Sequence, residues 1–483
     1  MNIKMIFNTL GRTACAEAVL MLLPLTVCFI YGEGTWFGFA VTAAISLLLG
    51  LLLCFCFRTK NSVIYAKEGF AIVALVWVVM SLLGALPFTI NKEIPNYIDA
   101  IFETVSGFTT TGASILTDIE AMSHGGLFWR SFTHWVGGMG VLVFITAISP
   151  GASDRSAHIL KAEMPGPIFG KLVPRLRDTA KILYLIYIAL TLLQVVLLKV
   201  FGMNWFESLV HSFGTAGTGG FGIKSSSIGG YNPACQWIIA VFMLIFGVNF
   251  NLYYLMIIRR FKSALTSSEL RVYFLIVALS TVIISFNVYS VVSAAGGSVG
   301  DTVRHSFFQV SSIITTTGFS STDFNLWPEL SKAILVVLML IGGCAGSTAG
   351  GIKVSRVVIL VKMIGKEFRR MLHPRSVSSV KFEGKRLDDT TLNNVGVYLA
   401  VYSACMLATF LVISLEPFGL ESNLTATVAC FNNVGPGLAT VGPMGSYADY
   451  TSISKLVLSF AMLLGRLEIF PLLLALSPST WRR

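Results

Sequence analysis

Along the chain, apolar residues gather in long blocks instead of the short alternations of a soluble fold. Blocks near 14–31, 36–57, 69–90, 127–149, 180–201, 235–258, 272–293, 330–345, 395–415 and 453–476 approach or exceed the roughly 20 residues a helix needs to cross a bilayer. About ten membrane helices follow from this pattern. The first block has no small-residue cleavage site after it and reads as a retained helix.

Four short strings break the apolar pattern: Thr109-Thr110-Thr111-Gly112-Ala113, Gly217-Thr218-Gly219-Gly220-Phe221, Thr315-Thr316-Thr317-Gly318-Phe319 and Asn432-Asn433-Val434-Gly435-Pro436. Aligned on Gly112, Gly220, Gly318 and Gly435, they are spaced by 108, 98 and 117 residues, the signature of internal repeats. Each follows a short helix-length segment that begins near an acid (Asp99 and Glu103, Glu207, Asp301, Glu421), and a full apolar block stands on either side. A unit with two full spans returns the chain to its starting side, so the repeats are parallel. The predicted fold is all-α and integral to the membrane: two N-terminal helices (1–65), then four helix–pore-loop–helix repeats at 66–150, 151–262, 263–386 and 387–483 around a pseudo-fourfold axis.

Composition sharpens this picture. Hydrophobic residues make up 54% of the 483 and charged ones 12%, with mean hydropathy +0.76, against roughly 25% charged in a soluble domain. The net charge of +11 would suit nucleic acid, but the cations crowd into alternate loops. They sit at Arg58, Lys60 and Lys67, at Arg155 to Lys181, at Arg259, Arg260, Lys262 and Arg271, and over 353–386. That is the positive-inside asymmetry; it places both termini in the cytoplasm and the strings near the outer face. No nucleic-acid partner is expected. The eight cysteines lie mostly in apolar segments without metal-ligand spacing, so neither disulfide nor structural metal is expected. P-loop and H-E-x-x-H motifs are lacking, and no enzyme chemistry is predicted.

The strings suit a cation. A short helix entering from outside aims its C-terminus into the membrane, and that end carries about half a negative charge. Non-helical backbone at this depth must line a cavity or be buried in protein. Gly permits the positive φ that turns carbonyls to an axis, and Thr adds hydroxyl oxygen without charge. Carbonyl rings of this kind replace the hydration shell of K⁺. The candidate ion ligands are Thr110, Thr111 and Gly112; Thr218, Gly219 and Gly220; Thr316, Thr317 and Gly318; and Asn433, Val434 and Gly435.

These strings, with Trp135-Val136-Gly137-Gly138-Met139-Gly140, Gly346-Ser347-Thr348-Ala349-Gly350-Gly351-Ile352-Lys353 and Gly465-Arg466-Leu467-Glu468-Ile469-Phe470-Pro471, resemble the Trk/Ktr/HKT superfamily, nearest its bacterial Trk-type potassium-uptake membrane subunits. The resemblance spans nearly the whole chain. It implies K⁺ uptake across the bacterial cytoplasmic membrane, a homodimer with one pore per subunit, and gating by a cytosolic ring of nucleotide-binding regulatory subunits. It implies no cofactor in this chain, with K⁺ as the transported ion and lipid as surroundings. In plant relatives Ser at the first filter glycine accompanies Na⁺ transport; here that residue is Gly112. The fourth string departs most from Thr-Thr-Gly.

Two more features stand out. From Gly342 to Gly351 ten residues lack any large side chain. Overlapping G-x-x-x-G spacing there suits close helix packing, but five glycines at about 1 kcal/mol each weaken a helix interior. A broken helix crossing the pore beneath the strings is the preferred reading, and the resemblance points to a movable gate. Arg466 lies deep in the last block, where a charge costs at least about 3 kcal/mol unless it faces a cavity or partner. Either it pairs with Glu468, two residues away, or it faces the pore and touches the glycine segment. The gate set is therefore Gly346, Ser347, Thr348, Ala349, Gly350, Lys353 and Arg466. Asn249 and Asn251 are read as hydrogen-bonding partners between helices, and His134, His211 and His305 as structural. Na⁺- or H⁺-coupled K⁺ transport and a less selective K⁺/Na⁺ pathway remain alternatives.

Overall fold

The computed structural model describes residues 1–58, 66–140, 176–375 and 379–481. Most of the cation-rich stretch after residue 150, the end of the 127–149 block, and Arg482 and Arg483 lie outside the described residues.

Helices α1 (Ile3–Leu20) and α2 (Leu22–Tyr31) run almost end to end and pack with α3 (Trp36–Cys56). A Cβ on Gly50 would lie 2.7 Å from the Gly11 carbonyl oxygen, so α1 and α3 touch backbone to backbone. Inside a bilayer such van der Waals contact replaces the hydrophobic drive between helices.

A long, a short and a medium helix then recur four times. The first set is α4 (Ala66–Ile90), α5 (Tyr97–Phe108) and α6 (His124–Gly138). The second is α7 (Leu176–Val200), α8 (Trp205–Gly217) and α9 (Pro233–Phe246), followed by α10 (Phe250–Ile257) and α11 (Phe261–Leu265). The third is α12 (Ser268–Ala294), α13 (Val299–Ile314) and α14 (Glu329–Ile341), followed by α15 (Val354–Leu372) and a hairpin of β1 (Lys381–Phe382) and β2 (Lys385–Arg386). The fourth is α16 (Asp389–Ile413), α17 (Leu420–Phe431) and α18 (Ser452–Arg466), closed by α19 (Phe470–Leu476) and α20 (Pro478–Trp481).

Three short helices start from side-chain caps: Asn96 on α5, the Asn204–Glu207 capping box on α8 and the Ser298–Asp301 box on α13. Each satisfies N–H groups that a helix start leaves unpaired. On α17 Glu421 sits in the first turn without a side-chain cap. The expected acids thus lie at the helix starts, except Glu103. That residue is 1% exposed, in the middle of α5, where it meets Arg130.

The span pattern differs from expectation. Among the described residues six helices are long and apolar enough to cross a membrane, with α9 and α10 a further pair bent by 91°. The medium helices α6, α9, α14 and α18 have 15, 14, 13 and 15 residues. At 1.5 Å per residue they reach only about 20 Å. Each apolar block is continuous in sequence, but its helix stops at Gly138-Met139-Gly140, Gly247-Val248-Asn249, Gly342 or Leu467-Glu468-Ile469. Gly140, Gly342, Glu468 and Ile469 all have positive φ there. Large apolar side chains of α3, α12 and α16 face outward (Phe55, Phe286, Leu411), whereas Phe102, Trp129 and Phe308 are buried among the short and medium helices.

Candidate ion pathway

The four short helices end in the same backbone course. Thr110, Thr218, Thr316 and Asn433 are left-handed, with φ of 56°, 55°, 53° and 56°. Gly112, Gly220, Gly318 and Gly435 follow two residues later at 81°, 74°, 84° and 95°. Alternating hand turns successive carbonyls to one side of the strand. For β-branched Thr the left-handed state costs about 1–2 kcal/mol, so the surroundings must impose it. They do so identically: the N–H of Thr111, Gly219, Thr317 and Val434 donates back to the carbonyl of Ser106, Gly214, Ser312 and Ala429, at 2.8 to 2.9 Å.

The strings also close on one another. A Cβ on Gly112 would overlap the Gly219 carbonyl oxygen, one on Gly220 that of Thr317, and one on Gly318 that of Val434. A Cβ on Gly435 would lie 2.6 Å from the carbonyl oxygen of Thr111. Each glycine therefore abuts the carbonyl just before the glycine of the next string, and the order 1–2–3–4 returns to 1. Eight of the twelve predicted string residues make these contacts, with Thr110, Thr218, Thr316 and Asn433 each one residue before them, and only a glycine fits the four contact points.

Side chains pack behind the ring. The His134 ring nitrogen Nδ1 lies 2.7 Å from the Gly107 carbonyl, and Nε2 accepts from the Phe221 N–H at 3.3 Å. Thr109 and Thr111 hydroxyls pair at 2.8 Å, and Thr315 and Thr317 at 2.7 Å. In the fourth string Asn433 donates to Thr111 Oγ1 at 3.0 Å and to the Met462 carbonyl at 2.9 Å. Tyr447 donates to the Gly435 carbonyl at 2.8 Å, so that oxygen is shared with a protein donor. The Arg130–Glu103 pair, at 2.7 Å and 1% and 0% exposed, ties the first string to the second. Arg130 also reaches the Gly222 carbonyl and stacks on Phe221. Sequence reasoning missed this pair, since 27 residues separate its members and neither lies in a string.

A cavity of about 80 Å³ opens on the glycine side of the ring. On the other side, where the strings begin, a cavity of about 40 Å³ is lined by Gly138, Gly346, Gly350, Lys353, Arg466 and Glu468. The segment between α14 and α15 lies here as a loop, with Gly342, Gly346, Gly351 and Lys353 at positive φ. The Gly350 N–H donates to Thr316 Oγ1 at 2.6 Å, which sets the loop directly against the third string. The Thr348 hydroxyl donates to the Phe246 carbonyl at 3.2 Å, and the Ser347 hydroxyl to Cys344 at 2.6 Å. The Phe250 N–H donates to the Gly346 carbonyl at 3.0 Å, so the bend between α9 and α10 holds the loop. Lys353 Nζ turns back to the Ala349 carbonyl.

Arg466 donates to the carbonyls of Thr348 at 2.8 Å, Gly137 at 2.5 Å and Gly138 at 2.7 Å. It links the loop to the end of α6. It is the last residue of α18 rather than a mid-span charge, and its cation meets helix-terminal carbonyls. Glu468 pairs instead with Arg356 of α15, which stacks on Tyr398 at 4.0 Å. A second cation of the last block, Lys455, pairs with Asp99 at 2.8 Å. Asn249 caps α10 through the Asn251 N–H and so serves its own chain break. His211 and His305 bond to the Glu207 carbonyl and to Ser321, away from the ring contacts.

A family model described as the TrkH cation transport protein matches residues 37–482. The chain is 36% identical over 492 aligned residues to the Trk system potassium uptake protein TrkH of Escherichia coli (strain K12), covering the whole of both. It is 34% identical to the protein of the same name from Halomonas elongata, again over the whole of both. Its fold is similar to the crystal structure of the potassium transporter TrkH from Vibrio parahaemolyticus, with TM-score 0.88, 33% identity and full coverage of both chains. The chain belongs to the TrkH family of cation transport proteins.

Proposed function

We propose that the chain takes up K⁺ across a bacterial cytoplasmic membrane through one pore, with the four strings as its selectivity filter. The closed ring of glycine-to-carbonyl contacts carries this reading: it presents oxygens around an axis, without a carboxylate among them. Rings of carbonyls take over the hydration shell of a monovalent cation, whereas rings of Asp or Glu favour cations more generally. The choice of K⁺ leans on the relatives' names and on Gly112, since a Ser there would bring a Cβ into the Gly219 carbonyl.

The four sets of helices are then parallel repeats at 66–150, 151–262, 263–386 and 387–483, behind an N-terminal pair at 1–65, with both termini cytoplasmic. The loop Gly342–Lys353 is the gate, and Arg466 both repels cations from the cavity and holds the loop closed. By analogy with the family, two copies assemble, and a cytosolic nucleotide-binding ring acts on the gate. The test is reversal potential in proteoliposomes. A value that follows the K⁺ gradient alone fits a channel-like pore; a value that moves with imposed Na⁺ or H⁺ gradients replaces it with coupled transport.

A further inference from the structure

Glu269 stands in the first turn of α12, 5% exposed, outside the strings and outside the glycine segment. Its Oε1 accepts from the Ala345 N–H at 2.7 Å and from the Ser355 N–H at 3.1 Å. One amide lies just before Gly346 and the other in the first turn of α15, so a single carboxylate oxygen holds the chain on both sides of the Gly346–Lys353 stretch. The Ser355 N–H is among those that a helix start leaves without an intrahelical partner. A buried amide that loses a charged acceptor is left at the full cost of its desolvation.

Glu269 is held in turn from the β hairpin. Glu383, in the β1–β2 turn, accepts from the Glu269 N–H at 3.1 Å and from the Ser267 hydroxyl at 3.0 Å. The Ser267 hydroxyl also caps α12 through the Leu270 N–H. Around the hairpin, Val380, Phe382 and Leu387 are buried in the same apolar cluster as Cys344 and Val354 at the loop's two ends. Two acidic residues and one cluster thus run from hairpin to loop. Meanwhile Lys381, Lys385 and Arg386 face solvent.

We infer that Glu269 is a positioning residue that sets the resting place of the glycine loop, and that Glu383 of the hairpin holds Glu269 in place. This rests on the loop being a gate. Coupling between distant sites needs an element with two arrangements that both sites bias. The loop provides it, because small residues and positive-φ glycines let it move without dislodging large side chains. Loss of the Glu383 acceptor loosens the first turn of α12 and frees the clasp.

The test uses the full chain in proteoliposomes without a partner. It reads basal K⁺ flux and the labelling rate of Ser347→Cys by a membrane-impermeant maleimide. Glu269→Gln keeps an oxygen acceptor but loses the charge, and should raise both by roughly threefold; Glu269→Ala should raise both about tenfold. In a chain lacking Gly346–Ala349 neither substitution should add to the flux. Glu383→Ala, at an exposed turn, should raise both about twofold and keeps the test available if Glu269→Ala does not assemble. Unchanged flux and labelling in a folded Glu269→Gln overturn the inference, and so does an equal flux change with and without the loop. If wild type itself carries no K⁺, the proposed function fails instead, and labelling still reports where Glu269 holds the loop.

Discussion

The ring of strings and the level of helix breaks beneath it are built on opposite plans. In the ring, four strings of different sequence adopt one backbone course, with matching left-handed residues, back-bonds and glycine contacts. Beneath it, four medium helices of almost equal length stop in four different ways. The first ends at Gly138-Met139-Gly140, the second bends by 91°, the third opens into a loop, and the fourth ends on Arg466. Equality above suits selection, because an ion is chosen by oxygens at matched distances. Under the proposed function, inequality below suits control, because a single loop and a single arginine can act on an axis that four equal elements would only surround. The glycine loop meets the ring where the Gly350 N–H donates to Thr316 Oγ1.

The largest effect should come from breaking what unites the strings. Arg130→Ala leaves Glu103 buried without its cation, an expected loss of about 3–5 kcal/mol, seen as a lower melting temperature of the detergent-purified protein; an unchanged melt would show that the pair does not brace the ring. Gly220→Ala forces a Cβ against the Thr317 carbonyl at a left-handed position. With backbone strain of about 1–3 kcal/mol per site, K⁺ flux should fall by roughly ten- to a hundredfold in protein that still elutes as wild type.

Changes at the lower level should act in the opposite direction. Deleting Gly346–Ala349 should raise basal K⁺ flux by about an order of magnitude, since the loop's charged hydrogen bonds are worth about 1.5–3 kcal/mol each; unaltered or lost flux in folded protein counts against a gate. Arg466→Ala removes three carbonyl contacts but leaves the loop's other bonds. A smaller rise, roughly threefold, and a flatter voltage dependence are expected in patch-clamp currents. If both stay as in wild type, Arg466 is only a helix-end brace.

The upper level was legible in the sequence because a filter-like turn demands particular residues. Gly112, Gly220, Gly318 and Gly435 occupy positions where a side chain cannot fit, so a glycine recurs in every string while the flanking residues vary. The loop was legible for a related reason, since ten residues without a large side chain do not make a well-packed helix. The other breaks were not legible. Leu467-Glu468-Ile469 contains no glycine or proline, and its positive φ values arise from what surrounds it. Gly247-Val248-Asn249 is too short to interrupt an apolar block. Glu269 and Glu383 carried no signal in the sequence, because a clasp between residues 76 or 86 apart leaves no local pattern.

The central claim is that the four strings act together on one ion, and the flux ratio K⁺:Rb⁺:Na⁺ of wild type beside Gly112→Ser tests it most directly. A shared filter predicts K⁺ and Rb⁺ well above Na⁺ in wild type, with Na⁺ flux rising towards that of K⁺ once Gly112 carries a side chain. Ratios that stay the same in the two proteins would take the first string out of the filter and contradict the ring as the seat of selection.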